Sequence, residues 1–148
     1  MAKKIVIGHK DVVDFPKINL FDLPVKVDSG AYTSSIHFYK AIEVKDGENT
    51  KLKVYFLGPK NKAYKESIVV FDSFSQRKVK SSNGISQVRY SIKTKVKMFG
   101  KTYTIELTLA KRGRMKFKVL LGRKFLAKKF IIDTALSNLS HKNIINKL

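Results

Sequence analysis

Apolar and polar residues alternate through most of this chain, with the period of two expected of strands that bury one face. The longest run covers 88–99, where Val88, Tyr90, Ile92, Thr94, Val96 and Met98 fall on one side. Gly100-Lys101 turns the chain, and 102–109 returns with Tyr103, Ile105, Leu107 and Leu109 together, which predicts an antiparallel hairpin. Shorter strands are predicted over 3–7, 34–45, 51–57, 68–71 and 116–121, and Val25-Lys26-Val27 alternates directly into Asp28. Asp46-Gly47 is a hairpin turn signal, and Gly58-Pro59-Lys60-Asn61 and 80–84 are further breaks. Pro16 and Pro24 exclude a continuous helix over 11–23. Only 123–130, with Phe125, Leu126 and Phe130 among good helix formers, reads as a short helix. The residues from Asn138 onward are polar and are expected to fray. No repeat, low-complexity segment or linker is visible. The pattern predicts one all-β domain over 1–148, a small closed or nearly closed barrel with one short helix near the C-terminus.

Composition narrows this picture. A chain of 148 residues with 43% apolar content is long enough for one real core. The absence of cysteine removes disulfides and thiolate metal sites. The basic start at Lys3-Lys4 is followed by only three apolar residues before Gly8, too few for a secretory signal, and no apolar run approaches a membrane span. A soluble, cytoplasmic protein without membrane contact is expected. The net charge of +20 attracts polyanions. Yet 26 of the 31 cations are lysines, spread along the chain, and guanidinium is the better group for bidentate phosphate contacts. Nucleic acid is therefore a partner that the charge allows but does not favour, and solubility explains the lysines equally well.

The chemistry concentrates at Val27-Asp28-Ser29-Gly30-Ala31, a carboxylate in a tight turn after an apolar strand. A peptide bond is cut by water when one group takes the water's proton while another protonates the carbonyl. Two carboxylates roughly 3 Å apart do this by sharing one proton. Around Asp28, Ser29 offers a hydroxyl to neighbouring backbone, Gly30 allows close approach or positive φ, and Ala31 leaves space. On its own Asp-Ser-Gly is an ordinary turn. Its context is Val119-Leu120-Leu121-Gly122-Arg123, an apolar run ending in Gly-Arg 94 residues beyond the aspartate. Only one such Asp loop is present, so a dyad requires a homodimer.

The order of motifs resembles a bacterial and archaeal family described both as retropepsin-like aspartic endopeptidases and as putative ATP-dependent zinc proteases. The resemblance runs through Ile7-Gly8, Asp28 to His37, Val79 to Gly84, Arg89-Tyr90, 105–109, 112–115, 120–123 and Ile132-Asp133. It implies an acid-protease-like barrel and an aspartic-type endopeptidase with catalytic Asp28, Ser29 and Gly30. It implies support from Ala31, Thr33, Leu121, Gly122 and Arg123, and a flap or substrate role for Ser81, Ser82, Asn83, Gly84 and Arg89. Some members are associated with an enzyme that ligates glutamate to a ribosomal protein, which implies peptide or protein substrates with acidic or glutamate tails. Ser29 departs from the usual Thr, Tyr32 and His9 from usual arginines, Val12 or Val13 from a common Trp, and Lys118 from a usual Pro, which leaves substrate preference open.

Other candidates are weaker. His37 is the histidine a zinc reading would recruit, but only His9, His37 and His141 exist and none lies at ligand spacing. No Gly-x-x-x-x-Gly-Lys loop supports ATP use, and no cofactor is expected. Ile132-Asp133-Thr134-Ala135 imitates a second catalytic loop but has Ala where the tight turn is expected to need Gly, and reads as capping or pairing near the barrel end. The rival to an enzyme is a basic binding module for RNA, ribosome or acidic tails. Against it, the aromatic residues show no ribonucleoprotein motif and mostly fill core positions.

Overall fold

In the computed structural model, which describes residues 3–81 and 83–146, the alternating runs become twelve strands and two α-helices. The strands are β1 (Ile5–Ile7), β2 (Lys10–Phe15), β3 (Leu20–Val27), β4 (Ser34–His37), β5 (Lys40–Asp46), β6 (Asn49–Tyr55), β7 (Ile68–Phe71), β8 (Ser75–Lys80), β9 (Ser86–Met98), β10 (Lys101–Ala110), β11 (Val119–Leu121) and β12 (Phe130–Ile132). Helix α1 is Arg123–Leu126 and α2 is Leu139–Asn146.

The largest sheet runs β10-β4-β11-β3-β2-β9-β8, and a second pairing of β10 with β9 closes six of these strands into a barrel. Its interior holds Val25, Val27, Ile36, Ile92, Val96, Ile105, Leu107, Val119 and Leu121, all buried. The β9–β10 hairpin pairs Met98 with Lys101, so Phe99 and Gly100 form the turn, both at positive φ. The predicted inner face of β9 is buried from Ile92 onward. Val88 is exposed because β8 and the start of β9 leave the barrel as a projecting hairpin. β5, β6 and β7 form a separate three-stranded sheet, with Gly47 at φ +64° in the predicted β5–β6 turn.

Three expectations are corrected. The helix expected over 123–130 ends at Leu126, and Phe130 starts β12, which pairs in parallel with β1. The apolar spacing that suggested a longer helix comes from Phe125, Leu126 and Phe130 reaching the same core from a helical turn and a strand. The segment expected to fray is helical up to Asn146. Asp11, 1% exposed, accepts the Ser140 N–H at 2.9 Å and the His141 N–H at 3.2 Å, and so satisfies the free donors at the start of α2. The Phe99 N–H donates to the Ser140 hydroxyl at 2.7 Å. β8 was not expected at all: its sequence, Ser-Gln-Arg-Lys-Val-Lys, is polar and almost wholly exposed, and it pairs as a strand with β9 only.

Candidate active site

β3 delivers Asp28 to the end of the barrel beside the last residue of β11. Val27 lies opposite Leu121 in parallel register, and the Asp28 N–H donates to the Leu121 carbonyl at 2.9 Å. The chain then turns. The Gly30 N–H donates to Asp28 Oδ1 at 3.0 Å and the Ala31 N–H to the Asp28 carbonyl at 3.2 Å, fixing the carboxylate by its own loop. Gly30 does not use the positive φ that glycine permits. A Cβ there would stand 3.2 Å from Asp28 Oδ1, so its smallness serves the carboxylate.

Gly122 backs this turn. A Cβ on it would lie 2.6 Å from the Thr33 carbonyl oxygen and 2.7 Å from that of Tyr32. Its N–H donates to the buried Ser34 hydroxyl at 3.0 Å. The next two residues bind the far side of the loop, Arg123 N–H to the Ala31 carbonyl at 2.8 Å and Lys124 N–H to that of Tyr32 at 2.9 Å. The Arg123 guanidinium donates to the Ser29 carbonyl at 2.8 Å. Asp28, Ser29, Gly30, Ala31, Leu121, Gly122 and Arg123 are thus one hydrogen-bonded unit, with the Thr33 carbonyl packed against Gly122. Ser29 serves it through its carbonyl. Its hydroxyl, expected to bond neighbouring backbone, makes no hydrogen bond among the described residues.

The same unit is built twice, and the Asp133 segment that imitates the Asp28 loop in sequence is its second copy. Ile132 lies opposite Ile7 in parallel register, and the Asp133 N–H donates to the Ile7 carbonyl at 2.9 Å. The Ala135 N–H donates to Asp133 Oδ1 at 3.0 Å and the Leu136 N–H to the Asp133 carbonyl at 3.2 Å. The His9 N–H closes onto the Leu136 carbonyl at 2.9 Å, and Gly8 packs against that same carbonyl with no room for a Cβ. Ala135 therefore does not prevent the turn, because the turn needs no positive φ. What distinguishes this copy is its clamp: His9, not an arginine, occupies the position of Arg123.

Ser81, Asn83 and Gly84 form the tip of the β8–β9 hairpin, and Ser82 lies outside the described residues. The Ser81 N–H donates to the Ile85 carbonyl at 2.9 Å and the Gly84 N–H to the Ser81 carbonyl at 2.9 Å. Ile85 and Val88 are 66% and 63% exposed, so the hairpin presents two apolar side chains beside its polar tip.

Two functional candidates were missed. Arg112 is half-buried and its Nε donates to the Phe117 carbonyl at 3.0 Å. Burial first, and then the charge of Arg89, lower its proton affinity, while Asp28 raises it, so the three groups share one electrostatic neighbourhood. Burial also lowers that of Arg89. Neither arginine has a carboxylate partner within salt-bridge distance among the described residues. The second is Glu106, which sequence periodicity puts on the solvent side of β10. It accepts from Arg77 of β8 at 2.7 and 3.1 Å, from Ser91 of β9 at 2.5 Å and from Lys124 of α1 at 2.7 Å. Its side chain is 12% exposed. Burial alone would raise this carboxyl, but the hydrogen bonds from Lys124, Ser91 and Arg77 overcome it and hold it at about 2. Glu106 thereby ties the base of the projecting hairpin to the helix behind the Asp28 loop. A cleft of about 220 Å³ beside it is lined by Thr33, Ser34, Lys93, Thr104, Glu106, Lys124 and Lys129 among others. A scarcity signal could have found Glu106: with 11 acids among 31 cations, each acid has several prospective partners.

The folded-state carboxyl of Glu106 lies below its ordinary value of 4.5, so its contribution is complete above that pH and fades as the pH falls towards 2. Glu106→Gln is expected to cost about 1–2 kcal/mol at neutral pH, with less further loss than the parent on acidification. Urea midpoints measured from pH 7 to 2 check this, and parallel acid profiles for the two proteins would exclude the role.

His37 does not gather metal ligands. Its Nδ1 accepts the Arg112 N–H at 2.9 Å, and burial followed by the charges of Lys118, Lys111 and Arg112 pushes the imidazole below the ordinary histidine range. Among the described residues no three His, Cys, Asp or Glu side chains lie close enough together to hold an ion. The described residues therefore do not fit a zinc site. No described helix is long and apolar enough to cross a membrane.

A family model described as RimB-like, retropepsin-like aspartic endopeptidase RimB, matches residues 6–143. A probable alpha-L-glutamate ligase of Desulfotalea psychrophila is 37% identical over 92% of this chain and 29% of its own length. One from Shewanella pealeana is 35% identical over 88% of this chain and 28% of its own. The chain thus spans less than a third of these relatives. A Legionella pneumophila protein of unknown function superposes with a TM-score of 0.71 at 23% identity, covering 93% of this chain and 99% of its own, and shares the fold.

Proposed function

The chain belongs to the RimB-like family of retropepsin-like aspartic endopeptidases, and from that premise we propose that it hydrolyses peptide bonds as a homodimer. In this reading Asp28 of each subunit supplies half of the dyad. The observation that carries it is the Asp28 loop: a partly exposed carboxylate, oriented by the Gly30 N–H and pinned through Gly122 and Arg123. One ionised Asp28 takes a proton from water as the oxygen attacks the carbonyl carbon. The protonated Asp28 of the partner gives its proton to the carbonyl oxygen. The proton held by the first carboxyl then passes to the leaving nitrogen as the C–N bond breaks, while a hydroxyl of the tetrahedral intermediate returns its proton to the partner's Asp28 and restores the one shared proton. The exposed Ser29 hydroxyl is left free to meet the partner's loop, and the β8–β9 hairpin is suited to cover an extended substrate. Hydrolysis blocked by a statine-type transition-state mimic and indifferent to chelators is the expected result. Sensitivity to chelators with indifference to the mimic would reverse it.

We assign acidic peptides as the preferred substrates on the strength of Arg89 and Arg112, two half-buried guanidiniums without carboxylate partners among the described residues, of which Arg112 feels the charges of both Arg89 and Asp28. Arg89→Gln is expected to raise KM for a glutamate-containing peptide about tenfold or more, with kcat little changed. The same change should leave a neutral peptide unaffected. An equal effect on both peptides would remove the specificity role.

A further inference from the structure

The three-stranded sheet is separate from the barrel sheet that leads into the Asp28 loop, and has one face turned away from the core. Leu52 and Val54 of β6 point inward and are fully buried. Lys53 and Tyr55 alternate with them and point outward. Register places Lys40 and Ile42 of β5, and Val70 of β7, on the same outer face: Lys40 opposite Tyr55, Ile42 opposite Lys53, Lys53 opposite Val70. Ile42 and Val70 are 38% and 48% exposed.

Tyr55 is the centre of this face. The Tyr64 ring stacks with it at 5.9 Å between centroids and 23° between planes. The ammonium groups of Lys40 and Lys53 lie 5.1 and 5.4 Å from the Tyr55 ring centre. Neither lysine has a carboxylate partner among the described residues, whereas Lys51, further along β6, is held by Asp46 and Asp72 at 2.8 and 3.2 Å. Two cations rest on an aromatic surface, an attraction that is weak in water.

We propose that this face binds single-stranded nucleic acid, with bases stacking on Tyr55 and Tyr64 and phosphates taking the Lys40 and Lys53 ammonium groups. The charges argue for a polyanion, and the paired rings argue for one with flat bases. Each lysine exchanges a weak contact with a ring for a phosphate, and its departure uncovers the ring for stacking. An acidic peptide would satisfy the lysines but gain nothing from the rings. The lone Tyr55 and interspersed lysines do not form a ribonucleoprotein sequence motif; the platform exists only after β5, β6 and the Tyr64 turn come together. Bound this way, the protein would be held at a nucleic-acid-containing assembly while the Asp28 loop stays free.

The test is anisotropy of a labelled oligouridylate of about 16 nucleotides against the full chain over a range of salt concentrations. Tyr55→Leu is expected to weaken binding about fivefold or more. The double variant Lys40→Gln, Lys53→Gln should reduce the salt slope by about 1.4, the value for two phosphate contacts on a single strand. Both should keep the parent's melting temperature and its peptide hydrolysis. Undiminished binding in Tyr55→Leu at unchanged melting temperature would overturn the proposal. So would tighter binding of poly-glutamate than of the oligonucleotide, which would make the face an acidic-peptide surface. If either variant melts early, Tyr55→Phe, which keeps the ring, must bind like the parent for the proposal to stand.

Discussion

Asp28→Asn is expected to abolish peptide hydrolysis, by at least about two to four orders of magnitude, while the melting temperature stays close to the parent's. Fold and chemistry separate at this residue because they use different properties of one side chain. The fold uses Oδ1 as an acceptor for the Gly30 N–H at 3.0 Å, and an asparagine oxygen accepts that bond equally well. The loop's other bonds are backbone, come from Arg123 or use the Ser34 hydroxyl. Hydrolysis uses the carboxylate as an exchanger of protons, which an amide cannot replace. The variant also tests the partner's share. If the dyad is formed between subunits, adding inactive Asp28→Asn protein in excess should suppress parental activity, because mixed dimers hold one carboxylate. Activity that falls only with dilution of the parent, or survives in the variant alone, would disprove the shared dyad.

Gly122→Ala should be the most damaging small substitution near the site, with a loss of about 3 kcal/mol and of activity together. Conformational freedom is not the issue. The added carbon would lie 2.6 and 2.7 Å from the backbone oxygens of Thr33 and Tyr32, and backbone cannot swing aside as a long side chain can. Parting the two segments would stretch the Gly122–Ser34, Arg123–Ala31 and Lys124–Tyr32 bonds that hold the loop. Gly30→Ala makes the contrast. Its carbon meets only Asp28 Oδ1, at 3.2 Å, so it should displace the carboxylate and lower activity at much smaller cost in stability. Urea denaturation beside a peptidase assay separates the two. Comparable stability losses would mean that the loop is not wedged against β11 as described.

The β9–β10 hairpin was legible because its period-two pattern extends over two long runs and one face is buried wherever the barrel closes. β8 was not, because a strand that buries neither face leaves no hydrophobic signature. The end of α1 was misjudged because helix and strand can send apolar residues into one core at similar spacing. Helix α2 was misjudged because its anchor, Asp11, lies 129 residues before Ser140. In the site, Asp28, Gly122 and Arg123 were readable from their motifs. Arg112 and Glu106 were not, since their meaning depends on which strands cross beside them.

By itself the sequence determined an all-β barrel and one carboxylate loop backed by a glycine, because alternation and tight turns are encoded by neighbouring residues. Only the tertiary structure decided that Asp133 repeats the Asp28 turn, that Glu106 joins hairpin to helix, and that Gly30 serves the carboxylate while Gly122 keeps two backbones in contact. Apart from the local Gly30–Asp28 contact, these depend on segments 15 to 127 residues apart meeting within hydrogen-bond distance, and no local pattern records such a meeting.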